Sequence, residues 1–189
     1  VDMVDIEAAT AAGIVVTNVP DVFIEEVADH AMMLLLASAR RMKTMAQMAA
    51  DGQWWSGRPL LNHIPRLMGQ TLGLLAFGNV ARCTARRAQA FGMRVIAHDP
   101  YVSELTLSEA GVEPVSNHEL FERSDYLSLH APHNEETHHA VNAETLALMQ
   151  PHAVIINTAR GPLIDESALL AALNAGEIAG AGLDVLEQE

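Results

Sequence analysis

Short apolar runs alternate with longer stretches in which apolar residues recur every three or four positions. Leu72 to Phe77, Met93 to Ala97, Tyr126 to His130, Ala153 to Asn157 and Ile178 to Val185 read as buried strands. Ile14 to Val19, stopped by Pro20, reads as another. The helical periods are Glu7 to Ala12 closed by Gly13, Val80 to Phe91 with Gly92 as cap, Ser103 to Ala110 before Gly111, and Asp165 to Ala175 before Gly176. Ser116 and Glu119 form a capping box for a helix to Arg123. Asn142 to Met149 is a further helix, closed near Pro151. The longest period runs from Asp21 to about Ala50, with acids at its start and Arg40, Arg41 and Lys43 later, a partial match to the helix dipole. Asp51 to Gly69 carries Gly52, Gly57, Pro59 and Pro65 and reads as irregular, anchored by Trp54 and Trp55. Strands alternating with helices predict an α/β fold, a doubly wound parallel sheet. Ligands in such sheets sit beyond the carboxyl ends of the strands.

One βαβ unit carries the clearest chemistry. Ala76-Phe77-Gly78-Asn79-Val80-Ala81 stands where a G-x-G-x-x-G turn is expected, and Asp99 follows Gly78 by 21 residues at the end of the next strand. That spacing suits a Rossmann dinucleotide site, with pyrophosphate on the helix N-terminus and the acid on the ribose hydroxyls. Asp99 has a second reading, as a cap on the turn at Pro100. Ala81 is small enough for helix–strand packing. Ala76 is the exception: if the first position needs positive φ, alanine costs roughly 1 kcal/mol against glycine.

Composition narrows the partners. The net charge is −13, from 24 acids and 11 bases, without a basic run, so direct nucleic-acid binding is not expected. Cys83 is the single cysteine, expected buried on the helix after Gly78, so no disulfide forms within the chain, which fits a cytoplasmic protein. The acidic start is unlike a signal peptide, and Ala31 to Ala37 is too short to span a bilayer. The middle of the Asp21–Ala50 period is apolar nearly all round, which asks for a second cover: a partner subunit in a homodimer. His133, His138 and His139 lack a Cys or acid at ligand spacing, so no metal is expected. His98 and His130 read as strand-end packing.

Further motifs carry a resemblance. Asn157-Thr158-Ala159-Arg160-Gly161 followed by Leu163 to Leu169, then Gly180-Ala181-Gly182-Leu183-Asp184-Val185, and Asp125 to Pro132 with Thr137, resemble the D-isomer-specific 2-hydroxyacid dehydrogenases over essentially the whole chain. Glu25 to Asp29 and Asn134 to His139 look like the branch of the C-terminal-binding proteins, corepressors that bind NAD. The phosphoglycerate dehydrogenases and hydroxypyruvate reductases are the other near relatives.

The resemblance implies a fragment of a two-domain protein, cut at both ends. Residues 1–20 would be the last segment of a substrate domain, and 21–189 an NAD-binding Rossmann domain truncated at its C-terminus. It implies NAD as cofactor, a small 2-hydroxy or 2-keto acid as substrate, and a homodimer built on the 21–50 helix. Arg160 falls at the family's catalytic arginine, its planar fork suited to the substrate carboxylate. Glu189 fits the glutamate that raises the pKa of a catalytic histidine, itself beyond the chain; Glu187 is the competing assignment. The cofactor would meet Gly78, Asn79, Val80, Asp99, Ala131, Pro132, Thr137, Thr158, Ala159, Arg160 and Asp184. Asp99 repels a 2′-phosphate and so favours NAD over NADP. The expected activity is NAD-dependent hydride transfer to or from a D-2-hydroxy acid; the alternative is an NAD-sensing corepressor-type module with little catalysis.

Overall fold

The computed structural model describes residues 4–62 and 64–188. Its centre is strand β1 (Thr71–Leu75), buried along its whole length. It pairs in parallel with β2 (Arg94–His98) on one side and β4 (Tyr126–Leu129) on the other. Strands β3 (Glu113–Pro114), β5 (Val154–Asn157) and β6 (Gly180–Leu183) complete a six-stranded parallel sheet of order β3-β2-β1-β4-β5-β6. This is the doubly wound order expected of a Rossmann domain.

The two-residue period of each strand divides the core into two layers. Leu72, Leu74, Tyr126, Val154 and Ile156 join Ala31, Met32 and Leu35 of helix α2 (Ile24–Ala39) and Ala81, Ala85 and Ala88 of α5 (Asn79–Ala90). On the other face Leu75, Leu127, Leu129 and Ile155 pack with Leu120 and Phe121 of α7 (Asn117–Arg123), Leu146 of α8 (Ala143–Leu146) and Leu169 of α9 (Glu166–Ala175). Gly73 makes close approach possible there. A Cβ on it would stand 1.9 Å from Ser124 Oγ and 3.0 Å from Leu120 Cδ1. Helices α2 and α5 are also clasped by charge: Glu25 meets Arg86 at 2.8 Å and Arg87 at 2.7 Å, and Asp29 meets Arg87 at 2.6 Å. The Arg87 guanidinium, then the Cys83 thiol, hold the Glu25 carboxyl below the usual carboxylate range. Cys83 is buried in α5, as expected.

The structure corrects several expected elements. The long helix breaks: α2 ends at Ala39, Arg41 takes a left-handed conformation at φ 49°, and α3 (Met42–Ala50) starts afresh. The reason is packing. The buried stripe of α2 stops at Ala39, and α3 buries no residue at all, so no core holds the two in line. A helix, α4 (Trp54–Leu61), occupies part of the stretch read as irregular and contains Pro59. It is short enough that the one missing N–H is tolerated. Trp54 and Trp55 lie on it, 47% and 74% exposed, and bury no anchor in the core. Ile14–Val19 forms no strand; Val15 is 86% exposed, and no described strand runs beside it. Asn142–Met149 contracts to α8, and Ile178–Val185 to β6. Strand β3 went unforeseen because it is two residues long and contains Pro114.

Side chains cap the short helices, the expected Ser116–Glu119 box among them. Asp5 caps α1 (Ile6–Ala11), Ser103 caps α6 (Glu104–Glu109), and both bonds of the Ser116–Glu119 capping box form. No helix among the described residues is long and apolar enough to cross a membrane.

His130, at the end of β4, is largely enclosed and bonds Ser128 Oγ at 3.0 Å through Nε2. Burial pushes its pKa down to about 4. The unfolded chain therefore binds this proton more readily, and the stability contributed by neutral His130 is complete above about pH 6.5 and is lost as pH falls from there through about 4. The stability difference between wild type and His130→Gln, followed by urea denaturation, is expected to shrink in the wild type's disfavour over that window. A difference independent of pH would refute it.

Candidate functional site

All six strands point the same way, so the loops that follow them share one edge of the sheet. After β1 the chain turns sharply. Ala76 has φ 71°, the left-handed conformation the sequence raised as a question, and its N–H donates to His98 O at 2.9 Å. Gly78 is the N-cap of α5, and no side chain caps that end. The amides of the first turn, from Asn79 and Val80 on, thus face the edge at the positive end of the helix dipole. Arg82 lies over the Phe77 ring, 5.2 Å from its centroid.

Asp99 ties the turns after β1 and β2 together. Oδ2 accepts from Phe77 N–H at 2.8 Å and Oδ1 from Tyr101 N–H at 2.8 Å. The turn-capping reading is therefore correct, and it leaves the carboxylate half-buried on a cavity of about 550 Å³. Ala131, Pro132 and Thr137 line the same cavity, with Ala76, His98, Tyr101 and Glu136. Thr137 shapes that wall: its hydroxyl donates to Pro132 O at 2.6 Å and accepts from Asn134 N–H at 2.9 Å.

A second group gathers after β5 and β6. Asn157 is fully buried; its Nδ2 donates to Arg160 O at 2.9 Å and its Oδ1 accepts from Ala159 N–H at 3.0 Å. One side chain so shapes the loop of Thr158, Ala159 and Arg160. Thr158 Oγ1 is buried and has no hydrogen-bond partner among the described residues. Arg160 is exposed and donates from Nη1 to Ala159 O at 2.7 Å. Asp184 stands alongside, its N–H on Asn157 O at 2.9 Å and its carboxylate 3.0 Å from His30 Nε2. Gly161 brings the last segment close: a Cβ there would fall 1.9 Å from Leu186 O. That segment is held further by Glu187, whose N–H donates to Glu166 Oε1 at 2.7 Å and whose carboxylate meets His139 Nε2 at 3.1 Å. Glu187 is thus committed to structural contacts. Glu189 lies outside the described residues.

Two predicted sets therefore form: Asp99, Ala131, Pro132 and Thr137 around one cavity, and Thr158, Ala159, Arg160 and Asp184 at the β5–β6 ends, with Gly78, Asn79 and Val80 at the α5 terminus. His98 bonds Val115 O at 3.0 Å. His133 and His138 approach to 3.2 Å, and His138 stacks on His139 at 3.9 Å between centroids. No group of three or more His, Cys, Asp or Glu among the described residues is arranged to hold a metal ion. Sequence reasoning missed Asn157, Tyr101 and Glu136. Only Asn157 had a signal, as a polar residue closing an apolar strand. An uncapped helix end behind a glycine, an acid at the end of β2 and a buried unpartnered hydroxyl fit a dinucleotide.

Comparisons with known proteins agree. The model of the D-isomer specific 2-hydroxyacid dehydrogenase NAD binding domain matches residues 32–189. The whole chain is 43% identical to a glyoxylate reductase of Korarchaeum cryptofilum, covering 57% of that protein. It is 42% identical to the D-3-phosphoglycerate dehydrogenase of Methanocaldococcus jannaschii, covering all of this chain and 36% of that one. The crystal structure of D-lactate dehydrogenase from Aquifex aeolicus, complexed with NAD and lactic acid, superposes over the whole chain with a TM-score of 0.92 at 34% identity, covering 56% of its length. The chain thus spans well under two thirds of the relatives it matches.

Ala76→Gly is expected to stabilise the domain by about 0.5–1 kcal/mol, the relief of left-handed strain less the added freedom of the unfolded chain. Urea denaturation measures it, and a loss of stability would show that the Ala76 methyl is worth more than its backbone costs.

Proposed function

Because the chain belongs to the D-isomer-specific 2-hydroxyacid dehydrogenase family, as its NAD-binding domain, we propose that the protein containing it interconverts a D-2-hydroxy acid and its 2-keto acid. Bound NADH supplies the hydride. The N–H groups of Asn79 and Val80 behind Gly78 receive the pyrophosphate, and Asp99 the ribose hydroxyls, a carboxylate that disfavours a 2′-phosphate. Ala131, Pro132 and Thr137 form the cleft wall, and Thr158, Ala159 and Asp184 border the nicotinamide end. Arg160 holds the substrate carboxylate by paired, charge-assisted hydrogen bonds, which orients the carbonyl. Glu189 raises the pKa of a histidine supplied outside this chain, so that it delivers the proton to the developing alkoxide.

The observation that carries this reading is buried Asn157. It hydrogen-bonds both ends of its amide to the Arg160 loop, which satisfies a buried polar side chain and holds that loop in one shape. The corepressor-type alternative draws no support from the three relatives, each named as a reductase or dehydrogenase.

Two further assignments complete the proposal. Residues 1–20 are the last segment of a substrate domain; exposed Ile14, Val15 and Val19 support an apolar partner for them. The 21–189 domain dimerises through α2 and α3. Where these helices meet the end of α5 lies a groove of about 760 Å³, lined by Met32, Met33, Leu36, Met42, Met45 and Phe91 with Asp29, Arg40 and Arg87 among them, a mainly apolar surface that suits a second subunit.

In the longer protein, Arg160→Ala is expected to lower turnover in a keto-acid reduction assay at least about a hundredfold, with NADH affinity nearly unchanged. Unchanged turnover would sink the assignment. Met33→Asp is expected to shift the protein toward monomer in sedimentation velocity; a dimer of undiminished affinity would place the interface elsewhere.

A further inference from the structure

The cavity that receives the ribose in the reading above has a second carboxylate in its wall. Glu136 lies on the loop after β4, and Tyr101 follows Asp99 by two residues. Tyr101 Oη donates to Glu136 Oε2 at 2.5 Å, a bridge between the loops that follow β2 and β4. The Tyr101 ring is 78% exposed, so no core packing holds it there. Its hydroxyl pKa is raised, first by the hydrogen bond to Glu136 and then by that carboxylate's charge, with Asp99 adding to the same effect.

The bridge matters because of what else faces the cavity. Among the described residues the titratable groups on its wall are His98, Asp99, Tyr101, Glu136, His138 and His139, with no lysine or arginine. His98 is engaged with Val115 O and His139 with Glu187. Asp99 already accepts two main-chain N–H groups, which offset part of its charge. Among the described residues the Glu136 carboxylate accepts a hydrogen bond only from the Tyr101 hydroxyl, a contact that holds it on this wall. A ribose hydroxyl can donate to either acid. A 2′-phosphate, with nearly two negative charges and acceptor oxygens only, would be repelled by both acids of this one cavity wall.

We propose that Glu136, held in position by Tyr101, is a second specificity-determining carboxylate that works with Asp99 to reject dinucleotides bearing a 2′-phosphate. This rests on the assignment of the cavity to the adenosine end of NAD. A carboxylate several ångströms from a dianion across partly aqueous space changes affinity about threefold to tenfold.

The test is calorimetric titration of the full chain with NADH and with NADPH, at low salt and at about 0.5 M salt. Wild type is expected to bind NADH and to bind NADPH more weakly, with the gap narrowing as salt rises. Glu136→Gln is expected to tighten NADPH about threefold to tenfold while NADH changes less than about twofold. Asp99→Asn is expected to act in the same direction, and Tyr101→Phe, which frees Glu136 without removing it, to give a smaller gain. Thermal melts confirm that each variant is folded. If Glu136→Gln leaves NADPH unchanged while Asp99→Asn tightens it, the second carboxylate is refuted and the assignment of the cavity stands. Parallel changes in both cofactors would assign Glu136 a structural role and overturn the proposal. If folded wild type binds neither dinucleotide, the assignment of the cavity fails and the inference falls with it.

Discussion

The structure depends on β1 being buried from every side. It has a parallel neighbour along each edge and a helical layer on each face. A strand so placed has no solvent to satisfy its backbone, and its N–H and C=O groups must find β2 and β4 in register. Parallel pairing then obliges each connection to cross over through a helix or a long loop and to return the chain to the same end. The functional edge follows from that geometry: the turns after β1, β2, β4, β5 and β6 meet because the strands are parallel.

What the edge then does is decided by a few residues that fix turns. Asp99 accepts from two main-chain N–H groups of different turns, and Asn157 accepts from one main-chain N–H and donates to one main-chain carbonyl within one loop. Gly161 allows the Leu186 backbone to approach where no side chain fits. Ala76 accepts a left-handed φ that glycine would adopt freely. These are local costs, in strain or in buried polar atoms, carried by a core that can bear them. They sit at the edge and not within the sheet, where β1, β4 and β5 are uniformly buried.

Much of this was legible in the chain. The run before Gly78, the distance from there to Asp99, the Ser116–Glu119 capping box and the closing Gly176 are local signals, and each formed as read. The failures share a cause. Asp21–Ala50 has a continuous period, but a period reports which face is apolar and not whether a core lies under it; α3 found none. Ile14–Val19 has strand composition and no strand beside it among the described residues. Pro59 and Gly57 look like breakers, yet a two-turn helix loses little by holding them. The cavity wall was half legible. Asp99 and Thr137 belong to readable motifs, while Tyr101 and Glu136 meet across 35 residues through a bridge that no spacing announces.

By itself the sequence determined the alternation of strands and helices, the parallel sheet, the dinucleotide turn and the family, because these rest on neighbours within a few residues or on motifs in fixed order. Only the tertiary structure decided which apolar segments found a partner, where the long helical period broke, and which polar side chains joined one cavity. Those depend on contacts between distant segments, and the free energy of such contacts is set by the packing they enter and not by the residues alone.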